Sequence, residues 1–224
     1  MFKSTLLIFA SLLLCNLGWG QSLPSDLPED NFTEVKVNLL FGLNQPLLNG
    51  FNVEGNLFWK RLALDYSHGV SLNMDNAILD ETNQLQELDV HIPWTTGFGI
   101  GYRLNDWLNV RMEPKWHRFE LYYTGEAQTA ANQITTYTTF SLGAGLYGNF
   151  QPFKKQYNFL RGIMIAPSVR WWPRVSSSLS ENEFSYFNER LDQVRTHEAL
   201  QVGINNTPLI VNVSIGYSFG WHLN

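Results

Sequence analysis

Residues 208–223 read PLIVNVSIGYSFGWHL, and the alternation in this segment constrains the fold more than any other feature of the chain. Leu209, Val211, Val213, Ile215, Tyr217, Phe219 and Trp221 share one face of an extended strand. Asn212, Ser214, Gly216, Ser218 and Gly220 share the other, with Ile210 the exception. A soluble sandwich would carry Lys, Glu or Thr on its solvent side. Gly and Ser instead suit the inside of a narrow barrel, where volume is scarce, and bulky apolar groups suit a wall that meets lipid. The segment predicts a closed membrane barrel.

The same period-two pattern recurs through the chain. Residues 33–43 set Val35, Val37, Leu39, Phe41 and Leu43 against Lys36, Asn38, Leu40 and Gly42. Residues 51–59 return with Phe51, Val53, Leu57 and Trp59 outward and Asn52, Glu54, Asn56 and Phe58 inward. After the reversal at Lys60-Arg61, Leu62, Leu64, Tyr66, Val70 and Leu72 face out against Ala63, Asp65, Ser67, Gly69 and Ser71. A long polar loop is expected at 73–93. The next strand carries Trp94, Phe98, Ile100 and Tyr102 outward over a nearly bare inner face of Gly97, Gly99, Gly101 and Arg103. Asn105-Asp106 then turns the chain into a fifth strand, with Leu108, Val110, Met112 and Trp116 out and Asn109, Arg111, Glu113, Lys115 and His117 in. Near Arg118 the apolar set moves to Phe119, Leu121 and Tyr123, which predicts a bulge. Residues 140–150 and 163–174 supply two more strands, the second with Ile163, Ile165, Val169 and Trp171 out and Met164, Ala166, Ser168, Arg170 and Arg174 in. Pro114 and Pro167 each lack a ladder donor and predict local bulges. The fold class is all-β: one antiparallel up-and-down transmembrane barrel of about eight strands at 33–224.

Connection lengths alternate between short turns, as at Lys60-Arg61, Asn105-Asp106 and residues 152–155, and longer loops at 73–93, 124–133 and 176–206, with the first connection, at 44–50, a short exception on the long side. Short turns on one rim and long loops on the other are expected of a membrane barrel, with the long side extracellular. Trp59, Trp107 and Trp221 fall at the short-turn end, and Trp94, Trp116, Trp171 and Trp172 towards the loop end. Two aromatic girdles are predicted.

Residues 1–20 combine Lys3, an apolar run from Leu6 to Leu14 and the segment NLGWG ahead of Gln21, which reads as a secretory signal peptide; a polar lead follows at 21–32. The run is too short to span a bilayer as a helix. Cys15 is the only cysteine, and Leu14 before it argues against lipid attachment there. Charged residues make up 16% of the chain and the mean hydropathy is −0.17, which excludes a helical membrane protein and suits a barrel with one face in lipid. Without Lys3 the balance is 14 basic to 20 acidic residues, so nucleic acid is not an expected partner.

Together the leader, the alternating segments and the closing Val-Ser-Ile-Gly-Tyr-Ser-Phe run resemble the small outer-membrane β-barrel proteins of Gram-negative bacteria. The resemblance implies an outer-membrane location, contact with outer-membrane lipid, and an insertion signal read by the barrel-insertion machinery at Tyr217, Phe219 and Trp221. The chain departs from that pattern by continuing through His222 and Leu223 to Asn224.

The inward set holds Lys36, Glu54, Asp65, Arg103, Arg111, Glu113, Lys115, Arg170 and Arg174, with both signs present. Beside a low-dielectric wall such charges must pair, so a lumen network that rigidifies the barrel is expected, with a narrow ion path as the alternative. An eight-strand interior is wide enough only for side chains. Ser67, His68 and Ser71 invite a lipid A acyl hydrolase or transferase, but His68 has the opposite parity to both serines. His91, His117, His197 and His222 show no metal-ligand spacing, so no metal or cofactor is expected. Gly97-Phe98-Gly99-Ile100-Gly101 reads as lumen packing rather than a nucleotide loop. The loops at 73–93 and 176–206 are candidates for capturing an extracellular partner. The expected role is structural or interactive at the cell envelope, without catalysis.

Overall fold

The computed structural model describes Phe32 and residues 34–222, so the expected signal peptide and the polar lead before Phe32 lie outside the described residues. The described residues form eleven strands: β1 (Glu34–Gly42), β2 (Phe51–Trp59), β3 (Leu62–Met74), β4 (Leu88–Arg103), β5 (Leu108–Tyr123), β6 (Thr135–Gly148), β7 (Ile163–Trp171), β8 (Arg174–Ser177), β9 (Glu183–Asn188), β10 (Gln193–Glu198) and β11 (Leu209–His222). One short helix, α1 (Glu81–Leu85), is capped by the Asp80 carboxylate, which accepts from the backbone N–H of Thr82 and Asn83.

Each strand from β1 to β6 pairs antiparallel with its successor, β7 pairs with β11, and β11 returns to β1 with Val35 opposite Trp221 and Phe41 opposite Ile215. The sheet is thus a closed ring. Strands β7 and β8 occupy one place in it, since both lie along β6 with Trp171 opposite Ala144 and Arg174 opposite Ser141. That gives eight positions and no free edge, which removes the row of unpaired backbone groups that an open sheet would present. No helix among the described residues is long and apolar enough to cross a membrane.

Burial follows the expected parity through the middle of every ring strand. On β5, Asn109, Arg111, Glu113, Lys115 and His117 are buried while Val110, Met112 and Trp116 are exposed. On β11, Asn212, Ser214 and Ser218 are buried while Val211, Ile215 and Phe219 are exposed. The three inward glycines of β4 have a concrete packing reason. A Cβ at Gly97 would run into Lys115, one at Gly99 into Asp65 and Glu113, and one at Gly101 into Arg111. The long charged side chains of β5 lie across a wall that must be flat.

Towards the long-loop end several expectations need correction. On β5 the parity does not shift at Arg118: Phe119 and Leu121 stay on the inner face, and the interior itself changes from polar to apolar. The extra residue sits on β4, between His91 opposite Glu120 and Trp94 opposite Arg118. Facing it on β3 is Ser71, at φ 55°, exposed rather than inward, and Leu72 beyond it is buried rather than outward. The segment 73–93 is mostly structure, because β3 runs to Met74 and β4 starts at Leu88, so that Leu88, Val90 and Ile92 point inward. The segment 176–206 contains a separate two-stranded hairpin, β9–β10, with Phe187 opposite Val194.

Neither proline makes a bulge. Pro114 keeps its partner Leu142 on β6, and its ladder to β4 lapses between Gly97–Lys115 and Ile100–Met112 with no change of register. Pro167 likewise interrupts the β6 side between Tyr147–Ser168 and the isolated Phe150–Ile165 bridge. Each proline turns its missing donor to one neighbour only, and the closed ring tolerates the local loss.

Candidate functional site

Four strands supply the charges at the centre of the interior. From β5, Arg111, Glu113 and Lys115 project inward at alternate positions; Glu54 comes from β2 and Asp65 from β3 on the opposing wall. Arg111 donates from Nη1 to Glu54 Oε1 at 2.8 Å, from Nη2 to Asn56 Oδ1 at 3.2 Å and from Nε to Asn109 Oδ1 at 2.7 Å, and lies 3.5 Å from Asp65 Oδ1. Arg170 on β7 approaches the other Glu54 oxygen at 3.6 Å and donates to Ser168 Oγ at 3.0 Å. Glu113 accepts from the Tyr147 hydroxyl and from Trp172 Nε1 at 2.9 Å, with the Lys115 ammonium 3.9 Å away and donating to Ser67 Oγ. Three carboxylates thus face three cations, a formally neutral cluster in which each charge meets an opposite one within 4 Å. Isolated charges at this depth would cost several kcal/mol each.

Aromatic faces complete the packing. The Arg111 guanidinium lies 4.1 Å from the Tyr147 ring centroid, and Arg170 lies 5.0 Å from those of Tyr147 and Trp172. Trp172 therefore does not belong to the outer girdle. The Trp172-Pro173 step between β7 and β8 carries its indole into the lumen over Gly143, where a Cβ would have no room.

Three of the sequence-derived inward charges lie outside this cluster. Arg103 sits at the short-turn rim, donating to the Lys60 carbonyl at 3.0 Å, 3.6 Å from Asp106, with its guanidinium over the rings of Phe32 and Phe58. Lys36 pairs with Glu34 at 3.3 Å on the same rim. Arg174 lies at the other end, 2.7 Å from the exposed Glu198. The interior is therefore stratified: a cationic, aromatic-lined floor, a neutral ion cluster in the middle, and His117, whose Nδ1 is 2.7 Å from Thr95 Oγ1, beneath the roof.

That roof was not read from the sequence. Leu72, Leu79, Leu88, Val90, Ile92, Phe119, Leu121, Tyr123, Tyr137, Tyr186, Ala199 and Leu200 form one buried apolar cluster across the loop end of the barrel. Tyr137 and His197 lock it from inside, the hydroxyl 3.0 Å from His197 Nε2 and also accepting the Leu200 N–H at 3.1 Å. Burial pushes the His197 imidazole down to about 4 and the Tyr137 phenol up. The β9–β10 hairpin is tied down by Gln86, which accepts from the Tyr186 hydroxyl at 3.0 Å and, through its carbonyl, from Asn188 Nδ2 at 2.9 Å.

Of the residues in the enzyme expectation, Ser67 and His68 lie on opposite sides of the wall, and Ser71 is exposed rather than inward. Ser67 is buried and engaged by Lys115, whereas His68 pairs in register with Thr96 and Val53 on the outer face. No group of three or more His, Cys, Asp or Glu among the described residues is arranged to hold a metal ion.

The other aromatics expected to form girdles lie on the outer face. Trp59 and Trp221 flank Val35 at the short-turn end, with Tyr102 two strands on and Trp107 stacked on Phe150 at 5.5 Å. Trp94 and Trp116 lie at the other end, Trp116 against Phe98 and Phe140 at 6.3 and 5.1 Å, with Trp171 beside Leu209. The nine residues from Leu62 to Val70 separate the two levels along β3. At about 3.3 Å per residue and a tilt of about 45° they rise roughly 20 Å, close to the height of an apolar membrane band.

A closed ring of eight antiparallel positions, apolar outside and charged within, decides the architecture. This chain has the fold of a small β-barrel of the outer-membrane type. No family model matches the sequence, and no curated protein matches it either. Among solved structures it is similar to Ail, the attachment invasion locus protein of Yersinia pestis, at 11% identity and a TM-score of 0.39, over 83% of this chain and 97% of that one. It is also similar to a major outer membrane protein of Thermus thermophilus at 10% identity and a TM-score of 0.41, over 84% and 98%.

Proposed function

We propose that this chain is an integral outer-membrane β-barrel with a sealed interior, and that it acts as a structural or interaction protein of the cell envelope rather than as a catalyst or conduit. The observation that carries the reading is the inversion of polarity along the barrel axis. Between the two girdles the outer face is apolar and the interior ionic, which suits a wall in lipid; beyond Trp94 and Trp116 the interior is apolar and the exterior charged, which suits water. One chain thus contains a membrane segment and an aqueous head, and the boundary coincides with the loop-side girdle.

Two further observations support a sealed interior. The central ion pairs bridge facing walls of the lumen, and the apolar roof stands across the route from that cluster to the loop end. The head is the part that meets other molecules. It holds twelve carboxylates against four arginines over residues 73–93, 118–134 and 174–208, and its β9–β10 hairpin exposes Phe187 and Val194 side by side. An extracellular partner would meet a rigid acidic surface with a small apolar centre.

Cell fractionation combined with gel mobility before and after heating tests the reading. A folded barrel recovered in the outer-membrane fraction and migrating faster unheated than boiled is the expected result. Recovery in the soluble periplasmic fraction, or release from membranes by high salt alone, would contradict it.

A further inference from the structure

The connection from β6 to β7, residues 149–162, is long for the short-turn rim, and its composition differs from that of the other turns there. It carries Lys154, Lys155 and Arg161 together with Phe153, Tyr157 and Phe159, all exposed. Tyr157 is fully exposed and Phe159 is 74% exposed. None of the three cations makes an ion pair among the described residues, whereas every charge of the lumen cluster does.

The position of this turn is fixed by contacts at both ends. Phe150 stacks on Trp107 at one end. At the other, the hydroxyl of Tyr217 donates to the Phe159 carbonyl at 2.9 Å and its ring lies against Gly162, where a side chain would collide with it. Tyr217 and Trp107 are outward-facing girdle-level residues. The turn is therefore folded against the lipid side of the wall and not across the barrel mouth. Exposed rings at that level continue the apolar belt into the headgroup layer, and lysines and arginines beside them stand where lipid phosphates lie.

We propose that residues 153–161 form an interfacial anchor that binds the phosphate headgroups of acidic glycerophospholipids at the short-turn rim. The site rests on the membrane-barrel reading above and adds to it a preference for one class of lipid. Lys154, Lys155 and Arg161 supply charge, and Tyr157 and Phe159 supply the apolar contact that holds them at the phosphate level. Its sign agrees with its surroundings, since among the described residues this rim carries Lys36, Lys60, Arg61 and Arg103 against Glu34 and Asp106. The head at the opposite end is acidic and would repel the same headgroups.

The test uses the full barrel reconstituted in phosphatidylcholine vesicles containing traces of spin-labelled phosphatidylglycerol or spin-labelled phosphatidylcholine, with the motionally restricted lipid read by electron paramagnetic resonance. The wild type is expected to restrict phosphatidylglycerol about threefold more than phosphatidylcholine, an advantage that shrinks in high salt. The K154Q/K155Q/R161Q variant should bring the ratio close to one, and Lys60→Gln, on the turn across the ring, should leave most of the preference. Equal restriction of both lipids by the wild type, or an unchanged ratio in the triple variant, would overturn the anchor while leaving the barrel intact. No restricted lipid of either kind would overturn the membrane reading and the anchor with it.

Discussion

At the scale of single residues, the interior is governed by pairing and by space. Glu54 serves both Arg111 and Arg170, so Glu54→Ala leaves two buried guanidinium groups short of a partner. A loss of about 3–5 kcal/mol is expected from urea unfolding in lipid vesicles. Lys36→Ala, which breaks a partly exposed rim pair with Glu34, should cost no more than about 1 kcal/mol. Equal effects would mean that the lumen cluster is wet and screened. Gly99→Val tests space rather than charge: its side chain would overlap Asp65 and Glu113, and a loss of about 1–3 kcal/mol is expected by the same measurement. Parity made these inward positions legible in the sequence, because a strand alternates strictly. It carries no information about height along the barrel axis, so parity alone places Lys36, Arg103 and Arg174 with central residues that they do not meet. The inward turn of Trp172 has no sequence signal, because the β7 ladder ends at Trp171 and either bend at Pro173 fits the same residues.

At the scale of elements, what the sequence obscured was the change of environment partway along β3, β4 and β5. Leu88, Val90 and Ile92 alternate as clearly as Phe98 and Ile100 and in the same sequence phase, yet they point inward, and Pro93 with the acidic residues around it gives that stretch the look of a loop. Two facing irregularities, at Ser71 on β3 and at residues 92–93 on β4, reset the phase, so a strand can leave lipid and build a core under water without leaving the ring. The β9–β10 hairpin depends on this core, and His197 makes it sensitive to acid. Its imidazole is held neutral by burial, with Asp80 and Glu198 raising and Arg174 lowering its affinity for protons. The folded head therefore binds fewer protons than the unfolded one between about pH 6.5 and about pH 4, and stability from this group is lost as pH falls through that window. Hydrogen exchange at β9–β10 amides should accelerate on acidification through it, while the amides of β1 and β11 should not respond. In His197→Gln the dependence should flatten; an unchanged dependence would assign the acid response to other groups.

At the scale of the whole molecule, charge is sorted along the axis: cationic at the short-turn rim, neutral in the middle, acidic in the head. The alternation of turn and loop lengths predicts that the head faces outward from the cell. An epitope tag inserted in the exposed turn after Arg190 should bind antibody on intact cells, and a tag seen only after permeabilisation would reverse the orientation. The central claim concerns which side of the wall meets lipid, and β11 tests it most directly, because its alternation runs nearly unbroken from Val211 to Phe219. Spin labels placed one at a time along that stretch, in the folded barrel in bilayers, report collisions with oxygen dissolved in lipid and with a water-soluble nickel complex. The account predicts oxygen-accessible labels at Val211, Val213, Ile215 and Phe219 and protected ones at Asn212, Ser214 and Ser218. Labels at the first set that collide with the nickel complex instead, or show no alternation, would contradict it.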